Sequence, residues 1–136
     1  MSDHPSDFRL LRPEEVIDRW PELSRRLDAA VQEGKGEVEV DDLRQLVLSG
    51  RMFIFATDQF ALTCEFVFYP RKTVMIVGFG AGKVSDRLAF VQTIEDFARN
   101  AGASSIQTYC RNPAMVRYYK RFLDVDPLYA VLEKQL

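Results

Sequence analysis

The sequence predicts an α/β domain, a mixed sheet with helices on both of its faces, in the order β-α-α-β-β-β-α-β-α-β. Three observations predict this class. Three apolar runs follow one another in the middle of the chain, stretches with helical spacing flank them, and further strand-like runs stand towards the two ends. No repeat or long linker divides the 136 residues, so we expect one domain over 1–136, with 1–6 as a mobile tail.

Composition indicates a globular protein. Hydrophobic residues make up 47% of the chain and charged residues 28%, which is enough to bury a core in a domain of this size. No apolar run approaches the ~18 residues of a membrane span. The first residues lack the basic-then-apolar order of a signal peptide. The expected location is therefore the cytoplasm, without membrane association.

The N-terminal third predicts a short strand followed by helices. Residues 7–11, DFRLL, can form the strand, and Pro13 stands where a helix begins. Pro21 interrupts this helix, which resumes over 21–33 with apolar residues at helical spacing. Asp41 or Asp42 is placed to cap the next helix before the glycine at position 50 ends it.

The middle of the chain predicts an antiparallel meander. Its runs are MFIFATD (52–58), FALTCEFVFYP (60–70) and TVMIVGF (73–79), and the separators are short enough for hairpins. Both faces of the runs are apolar, which predicts a sheet covered on two sides. Glu65 is the exception, a carboxylate in the middle of an apolar run.

Residues 77–85, VGFGAGKVS, lie between the third run and the next helix, where phosphate-binding loops are common. A P-loop requires G-x-x-x-x-G-K-[ST], but Gly78 and Gly82 are one residue too close and Val84 replaces the hydroxyl residue. A dinucleotide loop requires G-x-G-x-x-G, whereas Gly78, Gly80 and Gly82 alternate. Alternation is typical of a strand, where glycine marks a bulge or a close backbone approach.

The C-terminal third predicts two helices and two strands. A helix of roughly fifteen residues follows the glycines, and 104–110, SSIQTYC, forms a strand. Asn112 and Pro113 open the second helix, and 128–136, LYAVLEKQL, is the final strand. The apolar stripe of the first helix is Leu88, Val91, Ile94 and Ala98, and that of the second is Met115, Tyr118, Tyr119 and Phe122.

Two segments and the order of the elements resemble the GCN5-related N-acetyltransferases, the GNAT superfamily. DRLAFVQTIEDFARNAGASSIQTYC (86–110) is similar to the main helix and following strand of that family. RNPAMVRYYKRFL (111–123) is similar to the next segment, with Asn112 and Tyr119 in the places of the family's asparagine and tyrosine. The resemblance implies a GNAT-like mixed sheet in which the strand before the main helix separates from its neighbour. The pantetheine arm of acetyl-CoA would then lie along Gly78, Phe79 and Gly80.

The resemblance also places the diphosphate of acetyl-CoA at the N-terminus of the main helix, where free amides and the helix dipole favour anions. The family's loop there is Q/R-x-x-G-x-G/A, and it aligns with 82–87. Side chains at Ser85 and Arg87 would crowd the diphosphate, and Asp86 would satisfy the same amides and repel the ligand. We therefore predict a degenerate cofactor site. The residues that the resemblance assigns to the cofactor here are Gly82, Lys83, Ser85, Arg87 and Asn112.

Acetyl transfer to an amine needs a base for the ammonium proton and an acid for the departing thiolate. Tyr119 matches the family's acid, with a satisfied core tyrosine as the alternative. Glu65 is the candidate base, and its alternative is a carboxylate that faces solvent or an arginine. Cys64 and Cys110 are expected to be reduced thiols without a histidine partner, and with His4 as the only histidine we predict no metal site.

Charge is unevenly distributed along the chain. Residues 1–50 hold seven Lys and Arg against twelve Asp and Glu, a net charge of −5, whereas 51–136 hold eleven against eight, a net of +3. The C-terminal part is therefore the better place for an anionic ligand. Its basic cluster is Arg111, Arg117, Lys120 and Arg121. No aromatic-and-basic strip supports nucleic acid as a partner.

Two functions follow from these observations. The first is a GNAT-like domain that has lost group transfer and serves as a binding or structural subunit, with a protein partner or a second copy of itself. It resembles small GNAT-like proteins of bacteriophages, which implies the virion as an alternative location. The second is an active N-acetyltransferase that uses acetyl-CoA on a small amine or a protein amino group.

Overall fold

The computed structural model describes residues 7–34, 36–110 and 113–136. Along the chain, one strand is followed by three helices, three strands, a helix, a strand and a final helix. The strands are β1 (Arg9–Leu10), β2 (Phe53–Ala56), β3 (Phe60–Phe68), β4 (Thr73–Gly82) and β5 (Ser105–Thr108). The helices are α1 (Pro13–Asp18), α2 (Trp20–Gln32), α3 (Val40–Leu48), α4 (Arg87–Asn100) and α5 (Pro113–Leu123).

The five strands form one mixed sheet in the order β1-β2-β3-β4-β5. Each pair among β1-β2, β2-β3 and β3-β4 is antiparallel, which confirms the predicted meander. Strand β5 is parallel to β4. Parallel strands need a crossover connection, and α4 provides it between β4 and β5.

Helices cover both faces of the sheet, as predicted. Successive residues of a strand point to opposite faces. On β3, Ala61 therefore belongs to the apolar cluster under α1, α2 and α3, and Leu62 to the cluster under α4. The second cluster is strongly aromatic: the ring centroids of Phe55 and Phe97 are 5.0 Å apart, and those of Phe8 and Phe90 are 4.9 Å apart. Edge-to-face and tilted contacts at these distances stabilise aromatic pairs.

Helix ends in the N-terminal part are fixed by side chains. The carboxylate of Glu15 accepts the backbone N–H of Arg12 at 2.9 Å, which closes the first turn of α1. The carboxylate of Asp42 does the same for the N–H of Glu39 at 2.8 Å. The prediction that Asp41 or Asp42 caps α3 is therefore wrong by two or three residues. Glu39 is the cap residue, and Asp42 is the third residue of the helix.

Two expectations for the C-terminal third are wrong. Residues 128–136 form no strand, although their composition favours one, and they are not paired with the described five-stranded sheet. Leu88 is 68% exposed and does not belong to the buried stripe of α4. Phe90 and Phe97 pack against the aromatic cluster with Ile94 and Ala98, so the buried face is rotated from the one that the spacing predicted.

Candidate functional site

The gap between β4 and β5 is the first feature of the candidate site. Their pairing begins at Val74 with Ser105 and ends at Val77 with Thr108, whereas β4 continues beside β3 as far as Gly82. Over the described residues, the last five residues of β4 thus pair with β3 alone. This is the separation that the resemblance implied, and it leaves one edge of the β4 backbone open to a ligand.

The alternating glycines serve strand geometry. Two residues of β4, Gly78 and Phe79, lie opposite the single residue Thr63 of β3, and this arrangement is a β-bulge. The Thr63 hydroxyl accepts the Phe79 N–H at 2.9 Å. A Cβ on Gly78 would lie 2.8 Å from the Thr63 hydroxyl, and one on Gly80 would lie 2.8 Å from Leu62. The interpretation of these residues as a bulge with close backbone approaches is confirmed.

Gly82 ends the strand against the turn between β2 and β3. It has a φ of +110°, and a Cβ there would lie 2.0 Å from the carbonyl oxygen of Gln59. The same carbonyl accepts the N–H of Lys83 at 3.0 Å. Both residues are therefore tied to the turn, and the Lys83 amide is already hydrogen-bonded within the chain.

This turn is held by two arginines, one directly before α2 and one within it. Arg19 donates to the Thr57 carbonyl at 2.8 Å, and Arg26 donates to the Asp58 carbonyl at 3.1 Å. Arg19 also pairs with Glu22, and hydrogen bonding from Arg19 lowers the pKa of the Glu22 carboxyl. The position of the β4–α4 segment thus depends on contacts with the opposite face of the sheet.

The N-terminus of α4 is capped by its own chain. Asp86 is the cap residue, and its carboxylate accepts the N–H of Ala89 at 3.1 Å. A carboxylate at this position satisfies one of the open amides and takes up the favourable interaction with the helix dipole. This is the amide group that the resemblance assigned to the diphosphate of acetyl-CoA. Ser85 and Arg87 are exposed on either side of it.

A cavity of about 380 Å³ borders this helix end. Its floor is aromatic, and its polar groups are carboxylates and hydroxyls. Among the described residues, its lining includes no lysine or arginine, so its charge is of the wrong sign for a diphosphate. The lining residues are Asp7, Phe8, Thr57, Phe60, Val84, Ser85, Asp86, Ala89 and Phe90.

Arg87 connects α4 with α5. Its guanidinium carbon lies 5.6 Å from the ring centroid of Tyr118, within the range of a cation–π contact. The ring of Tyr118 is in turn 5.9 Å from that of Tyr119. The cation predicted to meet the diphosphate is therefore directed at an aromatic ring of the chain itself.

Tyr119 lies partly buried on α5. Burial raises the pKa of its hydroxyl, and the neighbouring Cys110 thiol and Tyr118 hydroxyl raise it further. Burial also raises the pKa of Cys110, and it raises that of the fully buried Cys64 to about 12. Both cysteines are free thiols that keep their protons at neutral pH, as the lack of a histidine partner led us to expect.

Glu65 lies on β3 opposite Ile76, partly exposed on the face that carries α1, α2 and α3. Among the described residues, no hydrogen bond joins its carboxyl to the hydroxyl of Tyr119. Of the basic cluster, Lys120 is 4.0 Å from Asp126 in an exposed ion pair. Asn112 and Arg111 lie outside the described residues, so the roles predicted for them stay predictions.

Sequence reasoning missed most of the cavity and the partner of Arg87. Asp7 and Phe8 precede β1, and Thr57 lies in the turn before β3, so all three are far from the glycines in sequence. The Thr57 hydroxyl accepts the N–H groups of Gln59 and Phe60, each at 3.0 Å, and this turn chemistry was a usable signal. No sequence spacing connects Arg87 with Tyr118, which depends on how α5 returns towards α4.

Two broader features bear on the kind of site. Over the described ranges, no three His, Cys, Asp or Glu side chains are grouped closely enough to hold a metal ion. In the same ranges, no helix has the length and apolar content needed to cross a membrane.

Comparison with solved structures connects this geometry to known proteins. The fold is similar to an aminoglycoside acetyltransferase from an uncultured soil metagenomic sample in complex with sisomicin, with a TM-score of 0.66 and 14% identity over 96% of this chain and 95% of that one. A Trypanosoma brucei acetyltransferase has a TM-score of 0.64 and 11% identity over 96% and 99%. A possible acetyltransferase from Clostridium difficile 630 has a TM-score of 0.61 and 12% identity over 96% and 97%.

Sequence comparisons give no match. No protein-family model matches the chain, and no curated protein is significantly similar to it in sequence. The structural neighbours therefore define the class by fold: this chain has a divergent GNAT-like fold, the fold of the acetyltransferases. At 11–14% identity the similarity extends to the fold alone.

Proposed function

We propose that this chain is a GNAT-fold binding module whose helix α4 does not hold the diphosphate of acetyl-CoA. The observation that carries the proposal is the hydrogen bond from the Ala89 N–H to the Asp86 carboxylate. An anion at a helix N-terminus gains about 0.3–1 kcal/mol from the dipole, and here a residue of the chain already makes that interaction.

Charge and shape at the same place support the proposal. Asp7 and Asp86 both line the adjoining cavity, and a diphosphate brought beside them would be repelled. Arg87, which could offset this charge, lies over the ring of Tyr118. Gly82, at the place of the family's arginine or glutamine, has no side chain to offer, and its conformation allows none. A protein partner is the ligand that this module retains, and the resemblance to phage proteins stays a prediction.

Calorimetric titration with acetyl-CoA tests the proposal. We expect no measurable heat of binding for the unmodified chain and a gain of binding for a variant that combines Asp86→Gly with Arg87→Gly. Asp86→Asn combined with Arg87→Gly is the matched control, because asparagine caps a helix as well as aspartate does but removes the charge. A gain with glycine and little gain with asparagine would assign the effect to the occupied amides. Micromolar binding by the unmodified chain would overturn the proposal.

An active N-acetyltransferase is the second candidate, and the protonated hydroxyl of Tyr119 favours it. In this function the open edge of β4 at Gly78–Gly80 holds the pantetheine arm. The carboxylate of Glu65 takes a proton from the acceptor ammonium, the amine forms the new bond to the acetyl carbon, and Tyr119 returns a proton to the departing thiolate. The acceptor is a small amine or a protein amino group, and an aminoglycoside is a suitable first probe because one neighbour is an aminoglycoside acetyltransferase.

Release of free CoA thiol in the presence of an aminoglycoside measures this second function. Tyr119→Phe removes the hydroxyl and preserves the ring, so it should abolish release if Tyr119 is the acid. Tyr118→Phe is the matched control on the same turn. Release that is equal in both variants would exclude the assigned role of Tyr119.

A further inference from the structure

Among the described residues, β5 has a neighbouring strand on one side only, and the C-terminal segment, residues 128–136, has no strand to pair with. Strand β5 is last in the sheet order, so among the described residues only its β4 side is paired. The Tyr69 N–H bonds to the Lys72 carbonyl, so along β4 the backbone groups of Val74 face β3 and those of Met75 face β5. In the register between β4 and β5, the groups that meet Met75 are those of the residues before and after Ile106. The N–H and C=O groups of Ile106 and Thr108 therefore face the free edge.

Within β5 itself, the edge lacks the charges, the proline and the bulge that often protect an exposed strand. Natural edges are commonly shielded by charges, proline, bulges or a covering element. The sequence of β5 is SIQT, which contains no charged residue and no proline, and its pairing with β4 is regular over all four residues. It is open to the addition of another strand.

The C-terminal segment has the composition of a strand that lacks a partner. Leu128, Ala130, Leu132 and Leu136 fall at every second or fourth position and would share one face of an extended chain. In the single chain, however, the segment forms no regular structure, and Leu132 is 91% exposed. Its exposed large apolar residues are Leu128, Tyr129, Val131, Leu132 and Leu136.

We propose that residues 128–136 of one chain add as a strand to the free edge of β5 in a second copy, giving a dimer with two-fold symmetry. Within one chain the segment and the edge do not meet, so the exposed leucines stay in water. Exchange between two copies pairs both edges at once and buries both sets of leucines, as closed symmetry requires.

Charge and length are consistent with a second copy as the occupant. Residues 128–132, LYAVL, carry no charge and would meet an uncharged strand, so neither side repels the other. Nine extended residues reach about 30 Å at roughly 3.3 Å each, which is more than the four residues of β5 require. The extra length would pass the exposed ring of Tyr109 directly after β5. This inference does not depend on whether the chain transfers acetyl groups.

Sedimentation equilibrium of the full chain from micromolar to near-millimolar concentration tests the proposal. We expect a mass that rises to twice 15.7 kDa. Deletion of 128–136, Leu132→Asp and Thr108→Pro should each keep the chain monomeric. Thr108→Pro removes an N–H that faces the free edge, together with the hydroxyl bond to the Val77 carbonyl. Gln135→Asp and Thr108→Val, which loses only the hydroxyl, are the matched controls, and both should still dimerise.

Three results would overturn the proposal. The full chain could stay monomeric over the whole range, or the deletion variant could dimerise as well as the full chain. The segment could also pair within its own chain, in which case its amides would be protected from exchange in a monomer. Circular dichroism of each variant establishes that its loss of dimer is not a loss of fold.

Discussion

The two ends of the chain differ in how much of their apolar surface the fold buries. Helices α1, α2 and α3 bury Val16, Leu23, Leu27 and Leu43 completely against one face of the sheet. In contrast, α5 and the residues after it leave Tyr118 almost half exposed and Leu132 nearly as accessible as in an extended chain. One face of the sheet is thus complete within a single chain, whereas the region beyond β5 is not.

This difference shows where the fold itself is stable and where it depends on something else. The buried face holds the turn between β2 and β3 through Arg19 and Arg26, and that turn holds Gly82 and Lys83. The β4–α4 junction is therefore rigidly positioned without a ligand. The exposed region has no comparable set of buried side chains among the described residues, and exposed apolar surface of this kind is typical of an interaction site.

The largest expected difference is between Leu27→Ala and Leu132→Ala. Leu27 is fully buried, and its truncation should reduce the free energy of unfolding by about 2–5 kcal/mol. Leu132→Ala should change it by less than about 0.5 kcal/mol when the protein is dilute enough to be monomeric. Urea denaturation of both variants at low concentration measures the contrast. Equal losses would show that the C-terminal segment is packed within its own chain.

Gly82→Ala should have the next largest effect. Its positive φ costs a residue with a Cβ about 1–2 kcal/mol, and the contact with the Gln59 carbonyl adds to this cost because backbone must move. Gly50→Ala is the control, since Gly50 has a φ of +77° but open space around its Cβ position. Thermal denaturation should place Gly82→Ala clearly below Gly50→Ala. Similar melting temperatures would mean that the β2–β3 turn yields easily.

Glu15 should make the complete face sensitive to acid. Hydrogen bonds from the Arg9 guanidinium at 2.6 and 3.0 Å, and from the Arg12 amide, lower the pKa of Glu15 from 4.5 to about 2. Because the folded-state pKa is the lower one, this stabilisation is present above pH 4.5 and is lost as the pH falls towards 2.

Glu15→Gln should therefore cost about 1–3 kcal/mol at neutral pH and much less near pH 2. Glu14→Gln, at the exposed neighbouring position, is the control and should have little effect. Urea unfolding over a series of pH values measures both variants. A constant loss for Glu15→Gln across the series would indicate that the charge of Glu15 is not responsible.

The smallest effect is expected for the contact between α4 and α5. A double-mutant cycle of Arg87→Ala and Tyr118→Leu should give a coupling energy of about 0.5–1 kcal/mol, the value for an exposed cation–π contact. A coupling near zero would mean that the contact with Tyr118 does not hold the guanidinium of Arg87 in place. That result would weaken the binding-module proposal and favour the acetyltransferase.

Periodicity was sufficient to predict most of the fold from the sequence. The meander, the helices on both faces and the end of α4 at Gly102, with its φ of +87°, followed from apolar spacing and turn residues. The rotation of α4 did not follow, because Leu88 and Phe90 are equally apolar and only the aromatic cluster on the sheet decides between them. The prediction of a strand at 128–136 is wrong because strand formation depends on an available edge as well as on composition.

The candidate site was only partly predictable. The glycines and Asp86 were identified from local rules about strands and helix caps, and the structure shows both devices. The cavity joins residues from the segment before β1, the turn at Thr57 and α4, and the contact of Arg87 with Tyr118 joins two helices. Such tertiary contacts have no signature in the spacing of a single sequence.

The amide resonance of Ala89 tests directly whether α4 can hold the diphosphate of acetyl-CoA, since this N–H is the group that Asp86 occupies. We would follow the amide resonances of residues 83–90 by NMR while acetyl-CoA is added, with β2 as an internal reference. We expect these resonances not to move in the unmodified chain and to move in the variant that combines Asp86→Gly with Arg87→Gly. A saturable shift of the Ala89 resonance in the unmodified chain would show that the diphosphate displaces Asp86. It would contradict the proposal that α4 does not hold the diphosphate.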